Sequence, residues 1–303
     1  MKKKKIVSLI LILALLCAIL SSCDYKKVDK SAFTVVSSFY PVYVFTKNIT
    51  EGAENVSVLS MSDYNSGCLH DYQVLPADIK MIENSDLFII NGGGMEESIE
   101  KFTVNLNKLN IIDSSIGTDF IHSEHSHHHH EEVNPHIWMY IPNAIIQVKN
   151  ITEALIKYNP ENKEIYKANS KSYIKELEEI HKMYEEELKV NDALNVIAAD
   201  NTFEYLLQGY GFNVSCKVSS GHNEQASAGK LKELINVINE KSVVGIFTEK
   251  GSDEQILNIL NDETSCPLYY LNSTIRGDGE YKGVYENNML ENLEVLKKAI
   301  ERK

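Results

Sequence analysis

The sequence is poor in basic residues and in cysteine, and each shortage argues against a class of protein. Its 30 Lys and Arg residues are outnumbered by 43 Asp and Glu, which leaves a formal net charge of −13. A protein that binds nucleic acid needs a basic surface for the phosphates, so this class is disfavoured. Five cysteines in 303 residues are too few for a fold that depends on a framework of disulfides.

The cysteines allow one disulfide at most in the folded part of the chain. Cys17 and Cys23 lie in the N-terminal segment, which leaves three for the rest. Cys216 and Cys266 are the expected pair because Cys68 is far from both in sequence.

Long apolar runs and common catalytic motifs are also missing. No stretch of about 20 apolar residues follows the N-terminal segment, so no later helix is expected to span a membrane. The sequence contains no H-E-x-x-H motif and no recognisable arrangement around a nucleophilic Ser or Cys. These absences favour a binding protein over an enzyme.

The N-terminal segment has the pattern of a bacterial lipoprotein signal. Residues 2–5 are lysines, residues 6–20 are largely apolar, and Leu20-Ser21-Ser22-Cys23 resembles a lipobox. We expect residues 1–22 to be a signal peptide and Cys23 to carry lipid, which anchors the protein at the extracytoplasmic face of the bacterial membrane. Residues 23–32 would then form a tether.

Predicted strands and helices alternate on both sides of a long charged segment, a pattern typical of parallel sheets. In residues 160–190, apolar side chains recur every three, four or seven residues, which predicts one helix of about 45 Å. We therefore expect an α/β fold of two lobes, each with a mostly parallel sheet flanked by helices, joined by one long rigid helix. The N-terminal lobe spans 33–158, the linking helix 159–190 and the C-terminal lobe 191–303.

Polar side chains follow several of the predicted strands, where ligands bind in open α/β sheets. His70 and His136 lie in loops of the N-terminal lobe, and two such histidines favour a metal site. Asp200, Glu249 and Asn272 follow strands of the C-terminal lobe. Asn201 and Glu204 match a capping box at a helix start, which would leave Asp200 to point outward.

Six of the ten histidines crowd into nine residues. Neutral imidazoles suit Zn, Cu and Ni, so we interpret residues 122–132 as a mobile loop with an auxiliary role in binding zinc. Its histidines are His122, His125, His127, His128, His129 and His130.

Short segments along the chain, in this order, resemble the zinc/manganese solute-binding lipoproteins of ABC importers, the ZnuA/TroA-like cluster. They are Ser38-Phe39-Tyr40-Pro41, Cys68-Leu69-His70-Asp71-Tyr72, residues 86–92, Asn134-Pro135-His136-Ile137-Trp138, Ile246-Phe247-Thr248-Glu249 and residues 285–293. The resemblance implies two lobes joined by a rigid helix, with one metal ion in the cleft between them. It also implies delivery of that ion to an ABC permease and its ATPase.

The resemblance further implies a set of metal ligands. His70 and His136 match the family's first two ligands, and Asp200 stands where the family has His or Glu. Asn272 stands where many members have an aspartate, so the site would be weakened or completed by Glu249, His222 or water.

The identity of the ion and the role of the protein allow alternatives. We favour Zn²⁺ because of the histidine loop, whereas oxygen ligands such as Asp200 would favour Mn²⁺. An adhesin-like surface lipoprotein with a relaxed metal site is a further alternative. A zinc hydrolase would use His70, His136 and Asp200 to hold an activated water, with Glu249 as the base, but the chain lacks the accompanying motifs. We expect a monomer.

Overall fold

The computed structural model of the protein describes residues 31–69, 72–103, 109–122, 133–189, 192–218, 228–250 and 255–302. The strands are β1 (Phe33–Ser37), β2 (Val56–Ser60), β3 (Leu87–Ile90), β4 (Asn110–Asp113), β5 (Leu194–Ala198), β6 (Phe212–Lys217), β7 (Ile246–Glu249) and β8 (Leu268–Leu271). The helices are α1 (Tyr40–Thr50), α2 (Pro76–Glu83), α3 (Glu97–Thr103), α4 (Ile141–Tyr158), α5 (Lys163–Glu187), α6 (Glu204–Gly209), α7 (Ala228–Lys241), α8 (Gln255–Thr264) and α9 (Val284–Glu301).

The strands form two parallel sheets of four, one in each lobe. The order is β2-β1-β3-β4 in the first and β6-β5-β7-β8 in the second. The central strands are largely buried because helices cover both faces of a parallel sheet, and Val35 pairs with Val58 on one side and Leu87 on the other. The strand order reverses between β1 and β3, and again between β5 and β7. Ligands bind beyond the carboxyl ends of strands at such a reversal, so each lobe presents one binding edge.

The long linking helix is confirmed. A 3₁₀ turn at Pro160–Asn162 leads into α5, whose predicted apolar stripe is buried. Asn169 Nδ2 donates to Ile49 O of the N-terminal lobe at 3.0 Å, and Tyr184 OH donates to Met289 O of the C-terminal lobe. Because this one helix is hydrogen-bonded to both lobes, it holds them at a defined separation. None of the helices in the described ranges is long and apolar enough to cross a bilayer.

The predicted capping box is wrong. Helix α6 begins at Glu204, and the residue before it, Phe203, makes no capping hydrogen bond through its side chain. Asp200 Oδ1 accepts the backbone N–H of Thr202 at 2.7 Å, a local turn that competes with helix formation over these residues. The Glu204 carboxylate is therefore released from a capping role.

The expected disulfide between Cys216 and Cys266 is not formed, and Cys68 also forms no disulfide. Cys216 lies on β6 and Cys266 lies just before β8, at opposite edges of the sheet. Adjacent strands are about 4.8 Å apart, so three intervals exceed the roughly 4.4–6.8 Å between Cα atoms that a disulfide spans. Proximity in sequence was a poor guide because the sheet order separates the two strands.

Glu286 is a buried carboxyl in the first turn of α9, 8% exposed, and its Oε2 has no hydrogen-bond partner among the described residues. Burial, with a smaller contribution from the Glu176 charge, raises its pKa from 4.5 to about 7. Between these two values the folded protein keeps a proton that the unfolded chain releases. The contribution of Glu286 to stability is therefore present at low pH and is lost as pH rises through about 7.

Glu286→Gln is expected to remove this pH dependence. Above pH 7 the variant should be more stable than the parent by roughly 1–3 kcal/mol, since each unit of pKa shift corresponds to about 1.4 kcal/mol. At pH 4.5 the two proteins should be nearly equal. Urea unfolding at both pH values measures the difference, with Glu291→Gln, an exposed change on the same helix, as the control. Parallel pH profiles for the parent and the Glu286 variant would contradict the assignment.

Candidate metal centre

His136 lies at the interface of the two lobes and is fully buried. It stands immediately before a 3₁₀ turn, Ile137–Met139, that leads into α4. The loop that precedes it is closed by an antiparallel bridge between His122 and Val133. The bridge fixes the base of the histidine-rich segment, and the side chain of His122 itself is exposed.

The neighbours of His136 determine which ring nitrogen can bind a metal. Its Nδ1 lies 2.8 Å from Asn134 Oδ1. Asn134 Nδ2 donates to Asn201 O at 2.7 Å and to Glu204 Oε2 at 3.1 Å, which fixes the amide so that its oxygen faces the imidazole. Nδ1 must therefore carry the proton, and Nε2 keeps the lone pair that a metal requires.

Nε2 of His136 faces a small cluster of sulfur and aromatic groups. Cys68 Sγ lies 3.6 Å from this nitrogen and 3.7 Å from Met95 Sδ. The Trp138 ring lies 5.3 Å from the imidazole, centroid to centroid. Nε2 is thus directed toward the loop that follows β2.

Asp200 and Glu249 lie at the carboxyl ends of β5 and β7, on either side of the strand-order reversal. Glu249 accepts a hydrogen bond from Ser273 Oγ, and Ser273 O accepts one from Trp138 Nε1 at 2.8 Å. On the other side, Asn201, next to Asp200, accepts the Asn134 amide. Residues beside each carboxylate, Ser273 and Asn201, are therefore hydrogen-bonded to the segment that carries His136.

Asn272 has a structural role in the C-terminal lobe. Its Oδ1 accepts the backbone N–H of Thr274 at 2.9 Å, and its Nδ2 donates to Asn288 Oδ1 at 2.9 Å. Its backbone N–H and C=O both bond to the Asn292 side chain. The amide joins the end of β8 to α9, so only the remaining lone pair of Oδ1 could serve a metal.

Several of the predicted site residues lie outside the described residues. These are His70, His125, His127, His128, His129, His130, His222 and the lipidation site Cys23. Within the described ranges, no group of three or more His, Cys, Asp or Glu side chains is arranged to hold a metal ion. The described residues therefore supply one oriented imidazole, with the Asp200 and Glu249 carboxylates on the opposite lobe.

Glu96 is a buried carboxyl that supports the segment before His136 and that the sequence motifs did not reveal. Glu96 accepts the backbone N–H groups of Asn91 at 2.8 Å and Gly92 at 3.1 Å. Burial raises its pKa to about 7, although these hydrogen bonds oppose the shift. Asn91 Nδ2 in turn donates to Pro135 O at 2.9 Å. The sequence feature that marks this tightly packed segment is the run Gly92-Gly93-Gly94. Gly92 has no room for a side chain, because a Cβ there would lie 2.0 Å from Asp113 Oδ1.

Comparisons with known proteins agree with this architecture. Residues 35–299 match the family model described as ZnuA, zinc-uptake complex component A, periplasmic. The high-affinity zinc uptake system protein ZnuA of Bacillus subtilis is 30% identical over 281 residues, 88% of this chain and 87% of that protein. The manganese-binding lipoprotein MntA of Halalkalibacterium halodurans is 21% identical over 201 residues, 66% of each chain.

A solved structure supports the same assignment. The metal-dependent lipoprotein YcdH of Bacillus subtilis superposes with a TM-score of 0.74 at 28% identity, over 88% of this chain and 99% of that one. The two-lobe fold and the expectation of a binding protein are confirmed, and a zinc hydrolase is excluded. The chain belongs to the ZnuA family and is a metal-binding solute-binding protein of an ABC importer for zinc or manganese, not an enzyme.

Proposed function

We propose that the protein captures Zn²⁺ in the cleft between its lobes and delivers it to an ABC permease and its ATPase. A lipid on Cys23 would anchor it at the extracytoplasmic face of the membrane. The observation that carries the proposal is the orientation of His136, whose Nδ1–H is held by Asn134 and whose Nε2 lone pair faces the cleft. A histidine held in this way is the usual form of an imidazole ligand of zinc.

We infer that His70 and Asp200 join His136 as ligands. The described residues on either side of His70 support this position. Leu69 is buried, and Tyr72 OH donates to Asp78 Oδ2 at 2.9 Å, so these two residues are held against the N-terminal lobe. Asp200 adds an anionic oxygen from the opposite lobe, and Zn²⁺ accepts such mixed nitrogen and oxygen sets.

We propose Glu249 and Asn272 as further ligands that could complete the coordination of the ion. Glu249 is held by Ser273, which fixes one carboxylate oxygen. Asn272 can offer only a neutral carbonyl oxygen. A site divided between two lobes suits transport, because a small movement of one lobe separates the ligands and releases the ion.

Zinc rather than manganese is favoured by the chemistry of the histidine-rich loop. Imidazole binds Zn²⁺ well, whereas Mn²⁺ prefers oxygen ligands and is the weaker partner of a given site. The relatives are named for both metals, so the choice of ion needs a direct experiment. The alternative is transport of Mn²⁺ through the same cleft, with Asp200 and Glu249 as oxygen ligands.

Competitive titration of Zn²⁺ and Mn²⁺ against chelators tests this choice. We expect zinc to bind on the order of 100-fold more tightly, following the general affinity order of divalent metals. Equal or tighter binding of Mn²⁺ would contradict the proposal.

The same titration on a loop-deleted variant separates the cleft from the histidine loop. His122 and Val133 already form an antiparallel bridge, so residues 123–132 can be replaced by a two-residue Asn-Gly turn. We expect the tight site to remain and the weakly bound zinc to disappear. Loss of the tight site would place the main zinc site in the loop.

A further inference from the structure

Cys68 occupies a place in the cleft that its neighbours make suitable for metal binding. The loop after β2 carries its half-buried side chain to the interlobe cleft, and its Sγ lies 3.6 Å from His136 Nε2. Met95 Sδ, 3.7 Å away, packs against the same sulfur. Cys68 is also two residues before His70 in the chain. A thiol therefore stands beside the imidazole nitrogen, His136 Nε2, that we propose as a metal ligand.

The distance between these two atoms fits shared coordination. In tetrahedral zinc sites the Zn–S bond is about 2.3 Å and the Zn–N bond about 2.05 Å, which separates the two ligand atoms by about 3.6 Å. A thiol S–H that donates to Nε2 fits the same distance and describes the metal-free protein. Metal binding then exchanges one arrangement for the other with little movement of either side chain.

We propose that Cys68 is a thiolate ligand of the same ion as His136, an inference that rests on zinc capture in this cleft. The S–H bond breaks as the Zn–S bond forms, and the thiol proton leaves to solvent. Cys68 with Asp200 then supplies two negative charges, which balance the charge of Zn²⁺. The thiolate thereby replaces the charge that Asn272, with its neutral and hydrogen-bonded amide, does not provide.

A sulfur ligand determines which metals the site accepts. Thiolates favour Zn²⁺ and softer ions, whereas Mn²⁺ prefers oxygen. Cys68 is thus a specificity-determining residue for zinc over manganese.

Cobalt substitution tests the proposal directly. Co²⁺ bound by a thiolate shows an intense near-ultraviolet charge-transfer band, and the histidine-rich segment contains no cysteine that could produce it. We expect the band in the parent under reducing conditions and its loss in Cys68→Ser. The matched control is Cys216→Ser, which removes a half-buried thiol whose Sγ contacts the side chains of Lys230 and Glu233, and should keep the band.

The affinities give a second readout. Partners that merely support a ligand contribute 10–100-fold to affinity, so loss of Cys68 should weaken zinc binding on the order of 100-fold. Mn²⁺ binding should change little, and the ratio of the two affinities should fall in proportion. Circular dichroism of each variant verifies that it is folded.

The outcomes separate this proposal from the one on which it rests. If the parent binds Co²⁺ and Zn²⁺ but shows no charge-transfer band, Cys68 is not a ligand, and zinc capture by the remaining residues stands. If the parent binds neither ion tightly, both proposals fail. Because the first result needs only the parent, it holds even if Cys68→Ser does not fold.

Discussion

His136→Ala is expected to weaken zinc binding by about 100- to 1000-fold. A structural zinc site with four ligands binds with roughly 10–16 kcal/mol, so one ligand accounts for about a quarter of this free energy. His136 is the only imidazole that the described part of the cleft directs at the metal position. Its loss also removes the ring N–H that Asn134 Oδ1 accepts, while that oxygen keeps the backbone N–H of residue 136.

Calorimetric or chelator-competition titration measures this loss. The matched control is His181→Gln on α5, where the native Nδ1 lies 2.9 Å from Tyr210 OH and has no contact with the cleft residues. The control should bind zinc like the parent. Parent-like affinity in His136→Ala would mean that the metal lies elsewhere.

Changes at Asp200 and Asn272 are expected to affect different properties: the first should lower zinc affinity, and the second should lower the free energy of unfolding. Asp200→Asn keeps an oxygen that can accept the Thr202 N–H, so the local turn survives while the negative charge is lost. Zinc affinity should fall by roughly 10- to 100-fold, at least the cost of losing a partner behind a ligand. Asn272→Ala should change affinity less than tenfold but lower the free energy of unfolding by roughly 1–3 kcal/mol, because buried groups lose their hydrogen bonds.

Trp138 fluorescence and urea unfolding separate these two profiles. The indole lies beside His136 and donates to Ser273 O, so metal binding should alter its emission. Asp200→Asn should move the titration midpoint to higher zinc with little change in unfolding. If it binds as tightly as the parent, Asp200 is only a turn residue.

The fold was largely predictable because its signals are local. Apolar strands alternating with helical patterns predicted parallel sheets, and the stripe on α5 predicted the linking helix. Helix α4, Ile141–Tyr158, was not assigned, although Pro142 in its first turn and apolar residues such as Ala144 and Val148 at helical spacing mark it. The strand order 2-1-3-4 in both lobes is a structural repeat without a recognisable short sequence repeat.

The candidate site was only partly predictable because its determinants are distant in sequence. His136 stood out by residue type, but its tautomer depends on Asn134, which is fixed by Asn201 and Glu204 from the other lobe. Cys68 and His136 are in contact although they are 68 positions apart in the sequence. The capping box failed for a local reason, since the hydrogen bond from Thr202 N–H to Asp200 competes with helix formation before Glu204.

Anomalous diffraction at the zinc absorption edge, from crystals of the zinc-loaded protein, locates the bound ion. We expect a strong anomalous peak within bonding distance of His136 Nε2, about 2.0–2.1 Å, between the loop after β2 and the carboxyl ends of β5 and β7. A protein that binds zinc tightly but shows its strongest peak away from His136 would contradict zinc capture in this cleft.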